Sequence, residues 1–195
     1  ILEDDPRLTP DQQRAIQTIE ASGSHLLSLI NSVLDISKIE AGRQEFIPVD
    51  FDLTELVASL ASMFRLGCQQ QRLGWNLEAP EGPCWMYGDA NKLRQVLINL
   101  LGNALKFTDE GEVGLVVRAQ TDERYYFAVY DTGPGIPPER QEEIFEPFEQ
   151  GEEGREKGGT GLGLAIARRH VQLMDGALEL DSAPGQGSRF FFMVP

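Results

Sequence analysis

The sequence predicts an α+β protein, a two-layer α/β sandwich preceded by one long helix. Three observations carry this. Residues 9 to 41 hold a broad apolar stripe at helical spacing. After residue 50, strand-like runs of Val, Tyr and Phe are mixed with two further helical patterns. Finally, Gly159-Thr160-Gly161-Leu162-Gly163 is glycine-dense and then turns abruptly into an apolar helical period. Strands and helices mixed in this order pack as a helical layer on one face of a largely antiparallel sheet.

The 195 residues suffice for one or two domains. A net charge of −14 excludes a nucleic-acid or anionic-membrane surface, because either needs a basic patch to displace counterions. Two cysteines, Cys68 and Cys84, are too few for a disulfide framework and lack neighbours at zinc-site spacing. They point to a reducing, cytoplasmic setting. No apolar run approaches the ~18 residues of a membrane span, so no direct membrane contact is expected.

Thr9 is placed to cap the first helix, with Pro10 at its first position and Gln12 completing a T-x-x-Q capping box. Gly42 is a natural stop. Ile16, Ile19, Gly23, Leu26, Ile30 and Val33 form the stripe, which Leu27, Leu34, Leu29 and Ile36 widen, and such a face suits a helical bundle. The change of pattern before Pro48 divides the chain into residues 1–45 and 46–195. A short extended stretch then leads into a helix from about Thr54. RLGWNLEAP and CWMYGD read as strand pieces separated by a turn at Glu81-Gly82-Pro83. Asp89 to Phe107 is strongly periodic. EVGLVVRAQ and RYYFAVYD follow as paired strands joined around Thr121-Asp122-Glu123. Gly133 to Gly159 is a loop interrupted by a short helix at PERQEEIF; Leu162 to Met174 is helical, and LELDSAPGQGSRFFFMV closes as a hairpin.

Three stretches carry chemistry. On the Asp89–Phe107 helix, Gln95, Asn99, Asn103 and Lys106 share one face opposite the packing stripe of Leu93, Val96, Leu97, Leu100 and Ala104. Asn is a mediocre helix former, so two a turn apart suit either a solvated amide face or oxygen ligands for a hard cation. Asp131-Thr132-Gly133-Pro134-Gly135 ends an apolar strand. It fits a plain Asx turn, one half of an aspartic-protease pair, or a pocket in which the carboxylate accepts an exocyclic amine. A single D-T-G disfavours the protease. Gly158, Gly159, Gly161 and Gly163 leave amides bare ahead of a helix, which is either a flexible turn or an anion site needing no basic side chain. Neither G-x-x-x-x-G-K-[ST] nor G-x-G-x-x-G is present.

NLLGNALKFT, DTGPGI, IFEPFEQ and GGTGLGLAIARRHVQLMDG occur in the order and approximate spacing of the nucleotide-binding boxes of bacterial sensor histidine kinases. ASGSHLLSLINSVLDISKIEAG likewise resembles the second helix of their dimerisation bundle. The likeness covers essentially the whole chain and implies a Bergerat-type ATP-binding fold of the superfamily shared with gyrase and heat-shock chaperones. It implies that Asn103 is the main Mg²⁺ ligand with Asn99 assisting, and that Lys106 contacts phosphate. Asp131 would select adenine, with Gly133 and Gly135 letting the ring approach the main chain. Thr160, Gly161, Leu162 and Gly163 would hold the phosphates, and Ile136 and Leu164 would pack the pocket wall. Phe145 and Phe148 would anchor the segment closing over ATP, where the EEGREKGG tract is expected to be solvated. The partners implied are ATP or ADP, a second copy of the full-length protein, and a response-regulator receiver domain.

The chain departs from the family in one respect. The S-H-E-L-R-T-P-like box that carries the acceptor histidine is absent. His25 lacks an adjacent carboxylate and His170 sits within ARRHVQLM, so neither is expected to accept phosphate. Ile1 to Leu8 would then be the tail of a missing first helix and the connecting loop. The alternatives are a degenerate, non-catalytic dimerisation module and a hydrolytic ATPase; the latter would place a carboxylate where this chain has Asn99.

Overall fold

The computed structural model describes residues 9–40, 45–120, 124–150 and 159–195. The expected stop at Gly42, the turn at Thr121-Asp122-Glu123, the tail Ile1 to Leu8 and the tract Glu152 to Gly158 lie outside these. The chain forms two compact units, Ile1–Gln44 and Glu45–Pro195.

The first unit contains helix α1, Pro10–Glu40. The capping box is formed as its sequence dictates: Gln12 N donates to Thr9 Oγ1 at 3.3 Å, and Thr9 N donates to Gln12 Oε1 at 2.9 Å. Along the stripe, Ile19, Leu26, Leu27 and Leu34 are exposed.

The second unit runs β1 (Val49–Asp52), α2 (Leu53–Gln71), β2 (Gly74–Glu78), β3 (Trp85–Gly88), α3 (Ala90–Phe107), β4 (Glu112–Ala119) and β5 (Tyr125–Asp131). Two 3₁₀ turns follow, at Pro138–Arg140 and Glu143–Phe145, where a single short helix was expected. The chain then forms α4 (Gly163–Leu173), β6 (Glu179–Ser182) and β7 (Ser188–Val194).

The main sheet has the order β2-β4-β5-β7-β6. Every neighbouring pair is antiparallel except β2 with β4, which is parallel. The strand pieces on either side of Glu81-Gly82-Pro83 therefore do not pair with each other. β3 instead pairs with β1 in a separate two-stranded sheet. Strict alternation places Val113, Leu115, Val117, Phe127, Val129, Phe190, Phe192 and Val194 on one buried face. Phe127 and Phe192 stack there at 5.0 Å. That face packs on Leu56, Val57, Leu60 and Phe64 of α2 and on Leu93, Val96, Leu97, Leu100 and Leu101 of α3, forming one continuous core. The result is the two-layer α+β class that the sequence predicts.

Both main helices start on an aspartate. Asp52 Oδ1 accepts from the amides of Thr54 and Glu55. Asp89 Oδ1 accepts from those of Asn91 and Lys92, and its Oδ2 accepts from Ile47 N at 3.1 Å. Asp89 is thus a cap and also a tie that fixes the chain entering β1.

Candidate functional site

The packing stripe of α3 faces the sheet, which turns Asn99, Asn103 and Lys106 toward the partly covered flank of the helix. Asn99 Nδ2 donates to the carbonyl of Gly163 at 3.0 Å. This one bond joins two of the predicted stretches: the carboxamide face and the glycine-rich turn lie against each other. Asn103 stands one turn further along, half-buried. Lys106 occupies the last turn of α3, where its charge complements the helix dipole. Its ammonium rests 5.0 Å from the centre of the Phe107 ring.

The glycine-rich turn is built to present amides. Gly161 adopts φ +69°, a conformation natural to glycine. A side chain there would also meet the backbone carbon of Phe148 at 2.7 Å. Thr160 Oγ1 accepts from Leu162 N at 3.2 Å and so shapes the entry to α4. Leu162 is buried at the helix cap and supplies no side-chain acceptor, so it leaves the first-turn amides of α4 without a cap from its own side chain. Leu164 is half-buried against the core. The positive end of α4 and the Asn99 carboxamide thus lie side by side, at a corner of an acidic protein whose helix dipole favours negative charge.

Asp131 ends β5 opposite Ser188. Its Oδ1 accepts from Gly133 N at 2.9 Å, which is the Asx turn. Burial raises its carboxyl above the ordinary aspartate range, and the amides of Gly133 and Ser188 oppose that rise only partly. The neutral form is therefore favoured more than usual.

The two glycines of this turn serve a purpose that the sequence does not reveal. A Cβ on Gly133 would meet the Phe107 carbonyl oxygen at 2.9 Å, and one on Gly135, at φ +72°, would land on the carbonyl of Ala183. The space that a bare backbone opens there is taken by the protein's own carbonyls. Ile136 is fixed likewise: its N–H donates to Ser182 Oγ at 2.8 Å, and Ser182 Oγ in turn donates to the Gly187 carbonyl. Gln141 Nε2 bridges the carbonyls of Ile136 and Ser182. Ser182 and Gln141 hold the Asp131 turn against the β6–β7 hairpin, and nothing in their sequence context marks them.

Phe145 and Phe148, expected to act together as anchors, have different surroundings. Phe145 is buried, edge-on to Phe190 at 6.2 Å and covered by the Arg168 guanidinium at 5.0 Å. Phe148 is 65% exposed with φ +68°, and its backbone is held through Phe148 N to Gly161 O at 2.9 Å. His170 is buried within α4.

Residues 88–195 match the family described as histidine kinase-, DNA gyrase B-, and HSP90-like ATPase, and residues 1–42 match the His Kinase A (phospho-acceptor) domain. The chain belongs to this ATPase family and carries the ATP-binding catalytic core of a bacterial sensor histidine kinase. It is 40% identical over 197 residues to the sensory/regulatory protein RpfC of Xanthomonas campestris pv. campestris, covering 97% of this chain and 27% of that one. It is 42% identical to the circadian input-output histidine kinase CikA of Synechococcus elongatus, covering 96% of this chain and 26% of that one. Among solved structures, full-length ShkA in complex with AMPPNP superposes with a TM-score of 0.81 at 34% identity, covering 100% of this chain and 41% of that one. The chain thus spans about a quarter of the length of these curated relatives.

Proposed function

We propose that residues 46–195 bind ATP with Mg²⁺ and deliver its γ-phosphoryl group to a histidine that is neither His25 nor His170, for relay to an aspartate of a response regulator. Residues 1–45 contribute to a dimerisation bundle. The observation that carries this reading is the Asn99–Gly163 hydrogen bond, because it brings an oxygen-bearing helix face to the amides that would hold a triphosphate.

Among the described residues no group of three or more His, Cys, Asp or Glu side chains forms a metal site. The carboxamide oxygens of Asn103 and Asn99 suit a hard cation that keeps water and phosphate oxygens in its shell. Bound there, Mg²⁺ would neutralise phosphate charge during transfer. The rest falls to the chain. Asp131 accepts the exocyclic amine of adenine, while Ile136 and Leu164 line the ring. Thr160, Gly161, Leu162 and Gly163 hold the phosphates with backbone amides, and Lys106 adds a positive charge. Phe145 anchors the segment between the two glycine-bearing turns. Transfer then rests on positioning and charge neutralisation. His170 is excluded as acceptor by burial within α4, and His25 by the lack of a neighbouring carboxylate to take its proton.

Calorimetry with AMPPNP, with and without Mg²⁺, tests the site, and label from γ-labelled ATP tests the acceptor. Saturable, Mg²⁺-dependent binding that Asp131→Ala weakens, with no label retained by the chain, is the expected pair of results. Affinity indifferent to Asp131→Ala removes the adenine assignment, and label lost on replacing His25 removes the acceptor assignment.

A further inference from the structure

The small sheet of β1 and β3 displays two large rings to solvent. Trp85 is 65% exposed and Tyr87 66%. Register sets Asp52 directly opposite Trp85 and Asp50 opposite Tyr87. Residues opposite one another in an antiparallel pair share a face, so this face carries two rings and two carboxylates. The other face carries Phe51 and Met86, which pack on the core. Asp52 Oδ1 is engaged by the amides of Thr54 and Glu55, whereas Asp50 is exposed. Tyr125 Oη donates to the Trp85 carbonyl at 2.7 Å, tying β3 to the main sheet so that the rings stand on a fixed platform.

An aromatic face beside a carboxylate is a receptor for a cationic side chain: the ring quadrupole attracts the charge, the acid pairs with it, and the aliphatic stem covers the ring. We propose that this face docks an extended basic segment of a protein partner, with Lys or Arg at alternate positions. Trp85 and Tyr87 are two residues apart on one strand, a span of about 6.6 Å, and alternate side chains of an extended peptide repeat at that same distance. The net charge of −14 draws a cationic segment and repels a polyanion. None of the four residues belongs to the proposed nucleotide site, so the two functions can be tested separately.

The probe is a seven-residue peptide with three lysines alternating with serines, titrated into the chain carrying Trp75→Phe so that Trp85 is the sole indole. Fluorescence and calorimetry should both show saturable binding that added salt weakens. Tyr87→Ser and Asp50→Asn should each reduce affinity at least about threefold, as loss of one cation–π or charge contact requires, with AMPPNP binding unchanged. Absence of saturable binding overturns the proposal. So does equal affinity for a peptide with its three lysines consecutive, for a peptide with leucine in place of lysine, or for the two variants.

Discussion

Asn99 Nδ2 lies 3.0 Å from the Gly163 carbonyl oxygen across 64 positions of sequence. One carboxamide therefore links α3 to the start of α4. Asn99→Asp replaces the donor by a second acceptor facing a carbonyl. The expected result is a fall of more than about tenfold in AMPPNP affinity together with a lower Tm. Asn99→Ala, which only deletes a bond of about 1 kcal/mol, should lower Tm less than Asn99→Asp. Equal Tm for both variants would show that the bond does not hold the helices together.

Asp131 is raised because burial penalises its charge. Its native form therefore retains the proton to a higher pH than the unfolded chain does, and this group withdraws stability as pH rises from the ordinary aspartate range through the raised value. Asp131→Asn should stabilise the protein at pH 7, with an advantage that shrinks in acid, and should weaken adenine nucleotides more than guanine nucleotides. Chemical denaturation at several pH values checks the first half and competition binding the second.

Asp89 behaves in the opposite sense. Burial alone would raise its carboxyl, but the amides of Ile47, Lys92 and Asn91 and the Lys92 ammonium outweigh that and lower it. Its contribution is present above the unfolded value and is lost as pH falls through the lowered one. Asp89→Ala removes a helix cap and the tie to Ile47, a loss of about 2 kcal/mol by cap and buried-bond magnitudes. Urea denaturation at pH 7 should register it, and the difference from wild type should narrow in strong acid.

The glycines of the two turns should not respond alike. Gly135→Ala places a methyl on the Ala183 carbonyl at φ +72°, and Gly161→Ala places one against the backbone of Phe148 at φ +69°. Each should destabilise by about 2 kcal/mol or more. At Gly163 the nearest atom to a Cβ would be Asn99 Cγ at 3.6 Å, an ordinary contact. Gly163→Ala should therefore leave Tm unchanged or raise it slightly. Thermal melts of the three variants decide the matter.

The helices were legible because each writes its own signature: Thr9 and Gln12 box the start of α1, and Leu93, Val96, Leu97 and Leu100 repeat at the α3 period. The hairpin of β6 and β7 was legible from its glycine-bearing turn. The partner of a short strand was not. GWNLE reads as a strand, but its parallel partner β4 comes after β3 and α3 in the chain, and no local pattern encodes that pairing. At the site, Asn99, Asp131 and Gly161 announced themselves because each is a costly or permissive residue where an ordinary one would serve. Ser182 and Gln141 did not, since a polar side chain at a strand end or in a turn is unremarkable until the carbonyls of Ile136 and Gly187 arrive beside it. The different surroundings of Phe145 and Phe148 were equally hidden, because aromatic identity does not say which ring finds a core.

Phe148 and Gly161 share one hydrogen bond, and both have left-handed backbones. Glycine sits in that posture at no loss, whereas a phenylalanine carries about 1–2 kcal/mol of conformational tension there, with a largely uncovered ring to set against it. The linkage therefore works as a cocked latch. Breaking that one hydrogen bond lets the Phe148 backbone leave the left-handed region, so the bond is worth less to the fold, net, than its geometry alone suggests.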